Sequence, residues 1–120
     1  MANEGYYTVN LQASKGGAKV ERSESMRFDM TGDDMVQSTQ LIGTTAETVT
    51  FTGITGAPQM LLIKNLDPTN FIELGGDSGL TVFKLKILAG RSSLISPSSA
   101  TLYAIADTSA VRIQIVAIEA

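Results

Sequence analysis

The chain contains no cysteine, no histidine and no tryptophan. Without cysteine there is no disulfide framework, no thiolate metal ligand and no thiol nucleophile. Without histidine, general acid–base chemistry falls to carboxylates, lysine or tyrosine. Aromatic residues make up 6% of the chain, too few for the stacking platforms that grip single-stranded nucleic acid or sugars. Long apolar runs are also missing: none approaches the ~20 residues of a membrane-spanning helix. The opening residues MANEGYYTVN lack the basic-then-apolar order of a secretory signal. These absences argue for synthesis in a cytoplasm without export, and against a membrane partner.

Positive charge is in short supply as well. Nine basic residues face twelve acidic ones, for a net charge of −3. Duplex nucleic-acid binders draw their non-specific affinity from basic patches on phosphate, so a nucleic-acid partner is not expected. The charges present are unevenly spread. From Met35 to Ile63 the only charged side chain is Glu47, and from Ser92 to Ala106 there is none. Serine, threonine and glycine fill those stretches. Interface cores are depleted of charge, whereas solvent-facing sheet edges are normally protected by it. The pattern therefore favours a surface covered by other subunits over a neutral face in water.

What the chain has in abundance is strand. Residues 6–13, 18–30, 35–43, 47–52, 60–66, 71–74, 81–88, 94–95, 101–106 and 111–118 read as short extended segments. They are cut by Thr31-Gly32-Asp33-Asp34, Asp67-Pro68, Gly75-Gly76-Asp77, Ala89-Gly90 and Asp107-Thr108-Ser109, all turn chemistry. One domain is expected for 120 residues. The reading is an all-β, single-domain, two-sheet β-sandwich of jelly-roll type with eight or nine strands, a barrel or immunoglobulin-like sandwich standing behind it. Alternation selects a core of Val49, Phe51, Leu61, Ile63, Phe83, Leu85, Ile87, Leu102, Ile113 and Ile115. Residues 60–66 and 71–74 are expected to form a hairpin, and so are 101–106 and 111–118. Val116 and Ile118 make the outer face of the last strand apolar too, so that end should be covered by a neighbouring element or another chain.

Four groups of side chains invite a chemical reading. Gly75-Gly76-Asp77-Ser78-Gly79 resembles a phosphate-cradling loop, but such loops need a helix start after them, and a strand follows here. Asp33 and Asp34, with Asp29 nearby, offer Ca²⁺ ligands without the spacing of a calcium loop. Asp67, Asp77 and Asp107 lie in three turns and would form a site only if those turns converged. Ser92, Ser93, Ser96, Ser98 and Ser99 are numerous, but a serine nucleophile needs a base and none stands near in sequence. In each case the structural reading, a hairpin loop or a solvated turn, is preferred. No catalytic residue, metal site or cofactor is expected, and the chain is read as a non-enzyme.

From residue 38 onward the order is S-T-Q-L-I-G-T-T-A-E-T-V-T-F, then M-L-L-I-K-N-L-D-P-T-N-F-I-E-L-G, then F-K-L-K-I-L-A-G-R, then L-Y-A-I-A-D-T-S-A-V-R-I-Q-I-V-A-I-E. This resembles small structural proteins of tailed-bacteriophage virions, with their I-K-N-L-D-x-T-N hairpin and L-x-A-x-A-D-T-x-A-V ending. The likeness covers about two-thirds of the chain. It departs at Arg91-Ser92-Ser93, where the pattern carries an acidic residue after the glycine. The resemblance implies a capsid decoration (cement) protein: a homo-oligomer, expected to be a trimer, made in the host cytoplasm and placed on the capsid surface of the virion, with the major capsid protein as partner. A tail or head–tail connector protein is one alternative, and a receptor- or carbohydrate-binding module is another. Within this picture residues 35–120 form the sandwich. Residues 1–34, which hold 10 of the 21 charged side chains, form an N-terminal arm or first strands, and deleting residues 2–30 should leave a foldable sandwich with weakened attachment to its partner.

Overall fold

A computed structural model describes residues 4–120. The described chain is all strand and loop, with ten strands in antiparallel sheets. It divides into two units, residues 1–31 and 32–120.

The first unit is a hairpin of β1 (Gly5–Lys15) and β2 (Ala18–Phe28), paired over all eleven residues of each strand. Its turn is Gly16-Gly17, with φ of 59° and 86°. Two consecutive positive φ values define the tight two-residue turn whose twist matches the strands, and only glycine adopts them freely. Residues 18–30, read from the sequence as extended, form a strand as far as Phe28, and nearly the whole hairpin is exposed.

The second unit is the sandwich. Its strands are β3 (Met35–Ile42), β4 (Glu47–Thr48), β5 (Met60–Asn65), β6 (Ile72–Gly75), β7 (Lys84–Ile87), β8 (Ser92–Ile95), β9 (Tyr103–Ala106) and β10 (Val111–Ile118). One sheet has the order β3-β10-β5-β8 and the other β4-β9-β6-β7. The pairs β3·β10, β4·β9, β5·β8 and β6·β7 are nested, as in a long ribbon folded at its middle. The ribbon is then wrapped, which brings β10 beside β5 and β9 beside β6. This is the jelly-roll topology that the sequence suggested.

Nesting overturns two expected hairpins. β5 and β6 lie in different sheets, as do β9 and β10. The Asp67-Pro68 and Asp107–Ser109 turns carry the chain across the sandwich instead of back along the same sheet. Sheets pack about 10 Å apart, a gap that four to six linking residues span easily.

The core lies between the sheets. Val111, Ile113, Ile115 and Ala117 of β10 are fully buried, with Leu61 and Ile63 of β5 beside them. Ile72, Leu74, Ala104 and Ala106 face them from the other sheet. Val49, Phe51, Ile87 and Leu102 are buried as expected. Phe83 and Leu85 are not: they are 38% and 40% exposed. Leu85 has the inward parity, opposite Leu74, but β7 is the edge of its sheet, and among the described residues no strand pairs with it from beyond. The Phe83 ring lies over the backbone of Gly76, where an added Cβ would come within 3.0 Å of it.

Candidate interaction surfaces

The groups singled out for chemistry turn out to be engaged in holding turns. Asp67 Oδ2 accepts the N–H groups of Thr69 at 3.0 Å and Asn70 at 2.6 Å. Asp77 accepts Thr81 N and Val82 N on Oδ1 at 2.7 and 3.1 Å, and the Thr81 hydroxyl on Oδ2 at 2.7 Å. That clamp closes a loop in which Leu80 takes a left-handed φ of 53°, a strained conformation for a branched side chain. In return Leu80 is buried against Gly75. The glycine-rich stretch thus leads into an edge strand, not a helix. Asp67 and Asp77 sit at opposite ends of β6, so the three turn aspartates do not converge. The 67–70 and 107–109 turns do meet, with Thr108 Oγ1 donating to Asn70 Oδ1 at 2.9 Å.

Donated N–H groups stabilise the ionised carboxylate. The Asn70 and Thr69 amides hold Asp67 below its ordinary value, and the Thr81 hydroxyl and Val82 amide do the same for Asp77. Because both folded-state values are depressed, their contribution to stability is fully present above the ordinary carboxylate value. It is lost as pH falls through the lower, folded value. Acid unfolding followed between neutral pH and pH ~2 should therefore show less pH dependence in an Asp67→Asn, Asp77→Asn double variant than in the wild type. Equal slopes would show that the two clamps are absent in solution.

Asp33 and Asp34 do find a third carboxylate, Glu119, all within 4.8 Å of one another. Glu119 is nearly buried, and its oxygens accept Asp34 N and Thr55 N, each at 3.3 Å. Gly32 N also donates to Ala120 O at 2.9 Å. The cluster ties the segment before β3 to the end of β10. Of the serines, Ser96 donates to Met60 Sδ at 3.5 Å and Ser99 accepts Thr101 N at 3.1 Å. Beside Val49 and Phe51 runs an open groove of about 340 Å³ lined by Thr48, Thr50, Thr52 and Thr101, without a titratable group.

Two surfaces stand out instead. On the β3-β10-β5-β8 sheet, the register places Met35, Ile118 and Met60 in one row across the outer face, and Val116, Leu62 and Leu94 in the next, to which β3 adds the polar but uncharged Gln37. Met35 is 66% exposed, and the others are half-buried or exposed. No charge lies among these six; Lys64 and Arg112 occupy the far end of the face. The other sheet contrasts with it, carrying Glu73, Lys84 and Lys86 outward, with Lys84 Nζ 3.8 Å from Glu73 and Lys86 above the Phe71 ring. Single exposed apolar residues are ordinary, but two adjacent uncharged rows form a contiguous patch of the kind that marks a binding face.

The second surface is the hairpin. Its register puts Tyr7, Val9, Leu11, Ala13, Val20, Met26 and Phe28 on one side, with Arg22 and Glu24 as the only charged pair near the middle of that side. Tyr6, Thr8, Asn10, Gln12, Lys19, Glu21, Ser23, Ser25 and Arg27 take the other. The Tyr7 and Phe28 rings meet at 6.3 Å, and Arg27 lies over the Tyr6 ring. On the polar side the Tyr6 hydroxyl accepts from Thr8 Oγ1 at 3.0 Å.

A scan of the chain against protein-family models finds no match, and neither the curated proteins nor the solved structures contain one that matches.

Proposed function

We propose that this chain is a non-enzymatic structural component of a tailed-bacteriophage virion, a decoration protein that self-associates and cements the capsid by bridging its subunits. The observation that carries the reading is the uncharged double row Met35, Met60, Leu62, Leu94, Val116 and Ile118 on one outer sheet face. A jelly roll needs only its inner faces apolar to fold. Apolar rows outside therefore point to burial by another chain. The turn carboxylates, engaged by backbone amides, are consistent with a role in adhesion and not in turnover. The resemblance of residues 38–120 supplies the setting.

Co-sedimentation with heads assembled from the major capsid protein encoded in the same genome tests this. Wild-type chain should pellet with the heads. A Leu62→Lys, Leu94→Glu, Val116→Lys variant should bind at least about tenfold more weakly, with its sandwich intact by circular dichroism. Wild-type binding to tails but not heads would move the protein to the connector, and binding to neither would end the reading.

A further inference from the structure

A two-stranded hairpin is marginally stable on its own in water; a third strand or a covering layer is what makes such ribbons persist. Among the described residues β2 pairs with β1 alone, and its residues from Ala18 to Arg27 are exposed along their whole length. We infer that the free edge of β2 pairs with the β2 edge of a second copy of this chain, antiparallel, about a two-fold axis at Ser23.

The backbone sets the phase. The two-residue Gly16-Gly17 turn makes Lys15 and Ala18 the first hydrogen-bonded pair, and the pattern alternates from there. Residues 18, 20, 22, 24 and 26 thus turn their amides and carbonyls toward β1. Lys19, Glu21, Ser23, Ser25 and Arg27 turn theirs to the free edge. Ser23 can therefore form a hydrogen-bonded pair with its own copy.

The side chains then choose among the allowed registers. With the axis at Ser23, Arg22 faces Glu24 of the second copy and Glu24 faces its Arg22. Val20 faces Met26 twice. These are the close, non-hydrogen-bonded pairs, where cross-strand contacts count most. Moving the axis one residue, to Arg22 or Glu24, sets that charged side chain against its own copy at the centre, and moving it two, to Glu21 or Ser25, leaves Arg22 opposite Val20 or Phe28; every shift breaks both matches of Arg22 with Glu24. Within one chain Arg22 and Glu24 already pair along the strand, so the two-fold contact builds a closed ring of four alternating charges. The one like-charge facing, Lys19 opposite Arg27, falls toward the ends. There Lys19 has Glu21 as partner at 3.4 Å and Arg27 has the Tyr6 ring. The other edge, β1, has no charge in its middle to define a register. The occupant of the β2 edge is thus the same strand, because its central charges are complementary to themselves under two-fold rotation. This inference does not depend on attachment to a virion.

The chain has no cysteine, so a single introduced thiol reports one position. In a hydrogen-bonded pair the Cα atoms lie about 5.5 Å apart, within the range a disulfide spans. Full-length Ser23→Cys should form a disulfide-linked dimer in a glutathione redox buffer, and Asn10→Cys on β1 should not. Adding Arg22→Glu, or separately Glu24→Arg, to the Ser23→Cys chain places like charges opposite each other twice. Each should lower the dimer yield about tenfold. Mixing those two variants, distinguished by tags of different mass, should restore the mixed dimer, since both acidic positions of the first chain then face basic positions of the second across the axis. Neither chain in that mixture regains its own Arg22–Glu24 pair, so recovery reports the contact between copies alone. Equal yields in all variants, no recovery on mixing, or cross-linking through Asn10→Cys in place of Ser23→Cys would each overturn the inference.

Discussion

Ile113→Ala should lower the unfolding free energy by about 3–4 kcal/mol, while Phe83→Ala should lower it by only about 1–2 kcal/mol. The sequence alone ranks the two alike, as inward positions on alternating strands. In the structure Ile113 is fully buried on the central strand β10, flanked by Gln40 of β3 and Asn65 of β5. Truncation there removes apolar contact and leaves a cavity that two flanking strands prevent from collapsing. Phe83 precedes the edge strand β7, with one ring face on Gly76 and more than a third of its surface in water. A loss of 3–4 kcal/mol is a large share of the ~5–15 kcal/mol that holds a domain of this size folded. Urea unfolding at matched slopes measures both. An equal loss at the two positions would mean that the β7 edge is covered in solution, by another copy or by another part of the chain.

The contrast shows what could be read in the sequence and what could not. Alternation locates strands and assigns faces: Val111–Ile118 forms the strand expected, and the inward parity of Leu85 is correct. Alternation does not say whether anything covers a face, so the edge position of β7 was invisible. The same limit explains the two misplaced hairpins. Asp67-Pro68 and Asp107–Ser109 are sound turn signals, but a turn signal does not distinguish a return within one sheet from a crossing to the other. Nesting decides that, through pairs as distant as β3 with β10.

Asn65 and Glu119 are instructive misses. Both share the inward parity of their strands, Asn65 with Leu61 and Ile63, Glu119 with Ile115 and Ala117. A polar residue at an inward position near a strand end is a readable hint of a side chain that ties loops. Asn65 does so while fully buried: its amide donates to Asn70 O at 2.9 Å and Ile87 O at 3.1 Å, and its Oδ1 accepts Asp67 N at 2.8 Å. Every polar atom of that side chain has a partner, as burial demands. The interaction surfaces were partly legible. The uncharged stretches and the apolar Val116 and Ile118 pointed to a covered face. Met35, Met60, Leu62 and Leu94 joined it only once the register was known.

Deleting residues 2–30 should leave the sandwich's unfolding midpoint within about 2 °C of the full chain, while abolishing the Ser23-centred contact between copies. None of the clustered core residues lies before Val36. The ties that fasten the start of the second unit survive the deletion, because Gly32 N still donates to Ala120 O and Glu119 N to Asp34 O at 3.0 Å. The hairpin, by contrast, buries almost nothing of its own, so its removal takes little apolar contact from the folded state. In the proposed virion setting the truncated chain should also bind heads more weakly, since each copy loses one of its two adhesive surfaces and with it the multivalent gain from linked neighbours. Calorimetry and co-sedimentation on the same preparation keep the two claims apart. A truncated chain that fails to fold would show that residues 2–30 complete the core. One that folds and binds with undiminished strength would leave the hairpin out of attachment, and the apolar rows on the sandwich would carry it alone.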